Sequence, residues 1–479
     1  MNITAPIRRM ARMTPDAPAV IDPGGTTLSY ATLDRAIDLM ALHATQLGLG
    51  AGDIASLTIG PQGQVTSLIL LLALARIGVV TTEPGLAATY LRRSFHYGAA
   101  GRPGDVRFDA TWLADAVSDG TIPPAPMHPG GGALFRILAS SGTTGLRKFI
   151  PTSHDLTARR ITSRFLSQGP AGRTQMVATA LAGSGAIISV LTTLWQGSAL
   201  VIYDPATAID TIKRFHVDAV TATPAEVHAI LEHCPEETVT LPSLREFAIG
   251  GSALPAPLRR IVETRLGCSV MVHGGSTEAG RVAFGPAASM ETRPFAAGFI
   301  TPGITIEATD EAGHGLPPGE QGVLRIRSDS NTDGYFDDPA ATARAFRDGW
   351  FYSGDIGTVW PDGILSISGR VADVIDTGGN KFNPAEIEAV LVRFPGVTEA
   401  GVFEVRNEFG LTEVGAALVV SEPLDEAALE TFCRRHLAAV PLAAVVEVAA
   451  LPRNATGKVQ RDRLVALAAA LETSQGGET

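Results

Sequence analysis

The chain has 479 residues, of which 45% are apolar and 18% charged, enough for two or more domains with sizeable cores. Its 38 basic and 49 acidic residues leave a net charge of −11, and no basic cluster is interleaved with aromatics, which argues against nucleic acid as a partner. An anionic ligand must therefore be held by local donors against an unfavourable overall field.

Near the start, Arg8-Arg9 is followed by Met13-Thr14-Pro15-Asp16 where an export signal would need an apolar core, so no export is expected. Cys234, Cys268 and Cys433 lie far apart, without a C-x-x-C or paired histidines. That spacing suggests neither a zinc site nor a disulfide framework and fits a cytoplasmic protein.

The apolar stretch Leu134–Leu138 runs into Ser140-Ser141-Gly142-Thr143-Thr144-Gly145-Leu146-Arg147-Lys148. Glycines let backbone N–H groups turn toward an anion, hydroxyls add uncharged donors, and a lysine supplies a mobile cation, so this run reads as a phosphate cradle. It is not the commoner phosphate loop, which needs Gly-Lys followed by Ser or Thr; here Leu146 and Arg147 separate Gly145 from Lys148.

Thr174 to Tyr203 carries no charge and is long enough to span a bilayer, but Gly183, Ser184, Gly185, Ser189 and Gly197 break it up. A buried strand–helix–strand unit is expected instead, with no membrane span. Val- and Ile-rich runs at 175–179, 199–203, 219–222 and 247–249 read as buried strands alternating with helices, which predicts α/β layers with parallel strands. Turn-rich sequence between Thr309 and Val323 predicts a smaller β-rich subdomain. From Asp373 onward, short strands at 402–405 and 415–420 and helices at 384–393 and 425–437 are expected, ending in a polar tail, 472–479.

Four further motifs follow the cradle in order: Phe351-Tyr352-Ser353-Gly354-Asp355, Gly369-Arg370, Gly378-Gly379-Asn380-Lys381, and Pro452-Arg453-Asn454-Ala455-Thr456-Gly457-Lys458. In order and separation they resemble the adenylate-forming superfamily of acyl- and aryl-CoA synthetases, peptide-synthetase adenylation domains and beetle luciferases. The resemblance runs from Leu28-Ser29-Tyr30 to Arg461. It implies a large N-terminal domain over 1–369, binding ATP and the acid, a hinge at 370–373 and a small mobile α+β domain over 374–479.

The implied chemistry is attack of a carboxylate on the α-phosphorus of ATP, with loss of pyrophosphate, then capture of the acyl-adenylate by a thiol. Charge gathers on phosphate oxygens, so donors, magnesium and a cation are needed rather than a covalent nucleophile. By resemblance, Ser141, Thr143, Thr144 and Lys148, within the cradle that also holds Ser140, Gly142 and Gly145, face the β- and γ-phosphates. Gly250-Gly251-Ser252 forms the adenine turn, and in Gly275-Ser276-Thr277-Glu278 the threonine meets the α-phosphate while Glu278 holds magnesium. Asp355 takes the ribose hydroxyls, Arg370 adds a ribose or phosphate contact, and Lys458 swings in to hold the substrate carboxylate.

The chain departs from the family pattern in three places. Gly274 stands where an aromatic ring usually stacks on adenine, and Ala372 where the joint residue is commonly Asp or Lys. The region Ala180-Leu181-Ala182-Gly183-Ser184-Gly185 lacks the usual aromatic or histidine, and also the aspartate that would neutralise an α-ammonium group. An α-amino acid is thus disfavoured as substrate.

Small residues at the expected pocket wall, Ala180, Gly183, Ser184, Gly185 and Gly274, leave volume for a ligand group. The apolar residues Leu181, Ile187, Ala222 and Phe284 around them, with no charge nearby in sequence, point to a hydrophobic aliphatic or aromatic acid. The acceptor is coenzyme A or the phosphopantetheine arm of a separate acyl carrier protein. A catalytically degenerate nucleotide-binding protein of the same fold is the rival reading suggested by Gly274 and Ala372.

Overall fold

The computed structural model describes the chain apart from residues 23, 61–62, 99–103, 114–121, 140–146, 166–168, 170, 179–182, 236, 379, 408, 410, 438–439, 441, 454–458 and 468–479. Ser140, Ser141, Gly142, Thr143, Thr144, Gly145, Ala180 and Lys458, and the tail from residue 472, lie outside the described residues. By compactness the chain forms two units: one holds 1–290, 297–305 and 326–351, the other 291–296, 306–325 and 352–479.

The first unit is built on two sheets. In one, Ser269–Ser276, Glu246–Gly250, Ala219–Ala222, Thr174–Val177, Ala199–Val201 and Pro18–Ile21 lie side by side and parallel. Gly280–Pro286 and Thr27–Ser29 add antiparallel edges. The other sheet runs Val106–Phe108, Arg93–Tyr97, Ile54–Thr58, Val80–Thr82, Leu134–Ala139, Phe149–Ser153, parallel except for the last pair.

Parallel strands need covering helices on their faces, and the sequence supplies them. Helix Gln64–Arg76 is buried from Thr66 onward, and helix Ser184–Trp195 from Ala186 to its end. One apolar cluster joins Leu68–Ala75 and Val190–Leu194 to Val20 and Leu200 of the first sheet and to Leu57 and Phe95 of the second. The strand–helix–strand reading of 174–203 holds, with strand Thr174–Val177, helix Ser184–Trp195 and strand Ala199–Val201. Among the described residues no helix is long and apolar enough to cross a membrane.

Inside that core the guanidinium of Arg76, fully buried, meets Asp38 at 2.8 Å and also Asp34. A buried cation is tolerable only when paired and hydrogen-bonded in this way. Tyr30, from the first motif of the resemblance, donates its hydroxyl to the carbonyls of Leu194 and Ser198 at 3.0 and 2.9 Å, tying helix Tyr30–Gln46 to helix Ser184–Trp195.

The second unit carries the β-rich subdomain expected around 309–323. Its strands Thr305–Thr309, Gln321–Arg327, Trp350–Val359 and Ile364–Arg370 lie in that lateral order. After a 3₁₀ turn at Val371–Asp373 come the α+β elements expected from the sequence: helix Pro384–Leu391, strands Val397–Arg406, Thr412–Val420 and Leu442–Glu447, and helix Glu426–His436. Leu391, Val402, Ala416, Leu418 and Leu429 form their shared core. Polar ties link these elements to the β-rich strands: Gln321 donates to Ser368 and Glu386, Asn383 donates to the carbonyl of Ser368, and Lys381 meets Glu311 at 2.7 Å.

Candidate active site

The hairpin of Ser269–Ser276 and Gly280–Pro286 turns at Thr277-Glu278-Ala279. Ser276 Oγ accepts the Ala279 N–H at 3.1 Å and fixes the turn. Gly275 sits opposite Arg281, and a Cβ there would overlap the carbonyl of Gly280, so only glycine fits. The Glu278 carbonyl accepts from Thr332 N–H at 2.8 Å and Arg160 Nη2 at 2.7 Å, while its carboxylate Oε1 accepts the Tyr335 hydroxyl at 3.1 Å. Burial pulls the pKa of Arg160 down to about 10, so it stays a cation at neutral pH beside this turn.

Lys148, the last residue of the run expected to cradle phosphates, places Nζ 4.8 Å from the centre of the Tyr335 ring. The structure thus brings Lys148 and Glu278 to the face and the hydroxyl of one tyrosine. Sequence reasoning missed Tyr335; its signal was Asp333-Gly334-Tyr335-Phe336, a glycine beside two aromatics. Segment 330–336 is stitched down by Phe336 N–H to the Phe149 carbonyl at 2.7 Å and by Thr332 Oγ1 to the Pro151 carbonyl at 2.9 Å. The lysine reaches the site because the strand that follows it, Phe149–Ser153, anchors that same segment.

Gly250 ends strand Glu246–Gly250, and Gly251 and Ser252 follow it. A Cβ on Gly250 would overlap the His273 ring, and Gly251 adopts φ +90°, so both positions require glycine. Thr223 beside Gly251 caps helix Pro224–Glu232 through a capping box with Glu226.

The two hairpin strands also border a cavity of about 30 Å³ lined by Arg164, Gln175, Ser189, His273, Arg281 and Phe284, among others. Here the expectation of uncharged surroundings for Phe284 is corrected. Arg281 stacks over its ring at 4.6 Å, and helix His154–Phe165 delivers Arg164. Residues 281 and 284 would face opposite sides of a regular strand. The register shift at Gly274/Gly275, where Ala283 and Arg281 face successive partners, is a bulge that turns both toward the cavity.

Gly185 and Ser189, on the helix expected to wall the acid pocket, meet Arg164: Nη1 donates to Ser189 Oγ at 2.6 Å and to the Gly185 carbonyl at 3.5 Å. Gly183 is the N-cap of that helix and Ser184 its first residue. Gly274 pairs with Ala283 in the hairpin.

In the second unit, Asp355 and Arg370 face each other across adjacent strands, with Arg370 Nε 3.0 Å from Asp355 Oδ1. On either side of the undescribed residues 454–458, Arg453 and Val459 pair, and Gln460 N–H donates to the Pro452 carbonyl at 2.8 Å.

Among the described residues no group of three or more His, Cys, Asp or Glu side chains could hold a metal ion. Magnesium commonly takes only one or two carboxylates and completes its shell with water and substrate phosphates. Glu278, a single carboxylate steadied by Tyr335, fits a magnesium ion carried in with a nucleotide.

The AMP-binding enzyme family profile matches residues 103–336, and that of the AMP-binding enzyme C-terminal domain matches 386–458. The chain is 30% identical to a feruloyl-CoA synthase from an Amycolatopsis species, over 95% of this chain and 96% of that protein. Among solved structures it is similar to ATP-bound MatB from Rhodopseudomonas palustris, with a TM-score of 0.86 and 25% identity over 98% of this chain and 99% of that one. It shares its fold with an o-succinylbenzoate CoA synthetase from Bacillus subtilis held with its acyl-adenylate intermediate, with a TM-score of 0.84 and 22% identity over 96% of this chain and 97% of that one.

The layered α/β body with its α+β C-terminal elements defines the class, an adenylate-forming enzyme of the acyl- and aryl-CoA synthetase kind. The chain belongs to the AMP-binding enzyme family.

Proposed function

We propose that the protein is an AMP-forming acid–thiol ligase that joins a hydrophobic aliphatic or aromatic carboxylic acid to coenzyme A. The observation that carries the reading is the alignment of Lys148, Tyr335 and Glu278, which sets a cation and a carboxylate around one aromatic ring at the end of the phosphate cradle. In the first half-reaction the acid's carboxylate oxygen attacks the α-phosphorus of ATP, and the bond to the bridging oxygen breaks as pyrophosphate leaves. In the second, a thiolate displaces AMP from the acyl carbon.

Lys148 and the hydroxyls and glycines of 140–145 steady the β- and γ-phosphates, and Thr277 donates to the α-phosphate. Gly250, Gly251 and Ser252 let the adenine approach the backbone. Magnesium, when bound, neutralises charge on the phosphate oxygens, and Glu278 is the side chain that would hold it. Asp355 receives the ribose hydroxyls and Arg370 orients it, their 3.0 Å pair keeping the carboxylate aimed. Lys458 holds the reacting carboxylate, and the chain pivots at 370–373 so that residues 374–479 serve the two half-reactions in turn. The ties from Gln321, Asn383 and Lys381 are polar rather than apolar, which suits contacts that must break and re-form.

Retention of Lys148, Glu278, Asp355 and Lys458 together speaks against a degenerate nucleotide binder. A separate acyl carrier protein is the alternative acceptor. The test is pyrophosphate release from magnesium ATP across aliphatic, aromatic and amino acids, followed by thioester formation with coenzyme A or with a phosphopantetheinylated carrier. Release with a non-amino carboxylic acid and capture by coenzyme A are expected; no release with any acid would end the ligase reading.

A further inference from the structure

The chain on either side of residues 454–458, the run that ends in Lys458, is anchored, and the anchors converge on one carboxylate. Glu388 lies on helix Pro384–Leu391, whose Ile387 and Leu391 enter the C-terminal core. Its Oε1 accepts the Val402 N–H at 2.9 Å and lies 3.0 Å from Arg461 Nη2. Arg461 stands three residues beyond Lys458, at the start of helical residues 461–467. Arg453, just before the run, adds its field to the same carboxylate and places Nη2 2.8 Å from Glu399 Oε2. Farther out on each side, Leu451 and Leu464 pack in one cluster with Phe403 and Ala417.

The two ion pairs are unequal. Arg453 and Glu399 are 39% and 43% exposed, and a pair so open to water contributes little. Arg461 and Glu388 are 24% and 19% exposed, so removing either partner leaves a largely desolvated charge behind. Burial pushes the Glu388 carboxyl above its ordinary pKa; Arg461 and the Val402 N–H draw it back, Asp373 opposes them and Arg453 aids them. Asp373 ends the 3₁₀ turn Val371–Asp373, at the expected pivot.

An apolar side chain would hold helix Pro384–Leu391 to strand Val397–Arg406 at a lower desolvation cost than a carboxylate. What the carboxylate adds is a fixed meeting point for two guanidinium groups. Those two groups flank the lysine that the ligase reading sends to the reacting acid.

We propose that Glu388 is a positioning residue for adenylation: by gathering Arg461 and Arg453 it fixes the chain before and after 454–458, so that Lys458 travels with residues 374–479 as one body. The inference rests on the ligase reading above and deepens it. Glu388 touches neither the acid nor ATP and acts through the lysine.

The test uses the full chain carrying Glu388→Gln, Arg461→Met, Arg461→Lys or Glu399→Gln, with the first two also combined with Lys458→Ala. Pyrophosphate release reports adenylation, and thioester formation from supplied acyl-adenylate reports the second half-reaction. Loss of a charge-assisted contact corresponds to about 10- to 100-fold, so Glu388→Gln and Arg461→Met should lower kcat for adenylation by this factor. KM for ATP and the thioester step should both stay near wild type. Arg461→Lys should recover part of the loss, and Glu399→Gln should stay within about twofold of wild type. In the Lys458→Ala background neither Glu388→Gln nor Arg461→Met should cost more than about twofold further, because residues that act through one another are not additive.

Full additivity with Lys458→Ala overturns the inference, since it leaves Glu388 a purely structural role. Equal losses in both half-reactions do the same, as do adenylation near wild type in both variants or a Glu399→Gln loss as large as theirs. No pyrophosphate release from wild type with any acid ends the ligase reading itself, a result distinct from an active wild type with unaffected variants. If Glu388→Gln fails to fold, Arg461→Met and its recovery by lysine decide on the same criteria.

Discussion

Replacing Tyr335 by phenylalanine removes one oxygen atom and keeps the ring. That oxygen donates to Glu278 Oε1 at 3.1 Å, and the tyrosine is only 8% exposed, so water cannot easily replace the bond. A hydrogen bond to a charged group is worth about 1.5–3 kcal/mol, which corresponds to about a 10- to 100-fold loss if it acts in the adenylation step.

The loss should fall on Glu278, so the magnesium concentration for half-maximal pyrophosphate release should rise while KM for the acid stays near wild type. Tyr335→Leu also removes the ring under Lys148, a contact worth about 0.5–1 kcal/mol at a partly exposed site, and should cost about two- to fivefold more. The assay is steady-state pyrophosphate release at saturating acid, titrated with magnesium, with melting curves to confirm folding. A Tyr335→Phe enzyme within twofold of wild type at every magnesium concentration would refute the role given to this tyrosine, as would equal defects in the Phe and Leu variants.

Lys458→Ala should slow acyl-adenylate formation by about 10²–10³-fold, while thioester formation from supplied acyl-adenylate suffers much less; equal losses in both steps would count against two working orientations of residues 374–479. His154 is fully buried, its Nδ1 accepts the Ile3 N–H at 3.2 Å, and burial first, then the charges of His128 and the N-terminus, lower its pKa from 6.5 to about 4. Because the unfolded chain binds this proton more readily, its contribution is fully present above pH 6.5 and is lost as the pH falls toward 4, by up to about 3 kcal/mol; denaturant unfolding of wild type and His154→Gln across that range should show the steeper acid loss in wild type. Gly250→Ala would drive a methyl group into the His273 ring, and such overpacking typically costs about 1–3 kcal/mol, readable as a lower melting temperature together with a higher KM for ATP.

Local pattern in the sequence was enough to place the regular elements. Strand Ala219–Ala222 falls where its apolar run predicts, and the uncharged stretch 174–203 folds as strand, helix and strand because its glycines and hydroxyls punctuate it at the right places. Ordered motifs identified the family, since glycine-rich turns declare themselves by residue type: Gly250 and Gly275 each sit where a Cβ would collide.

What residue type could not declare was company. Tyr335 meets Glu278 from 57 residues away. Arg164 and Arg281 share a cavity only because helix His154–Phe165 packs against helix Ser184–Trp195 and one bulge turns a strand residue inward. The sequence read Phe284 as part of an uncharged wall, whereas the packing of distant elements set Arg281 over its ring and Arg164 on the same cavity. Periodicity and turn chemistry act over a few residues and are written in the chain. Which charges come to share a desolvated space depends on long-range packing and register, and that only the tertiary structure decides.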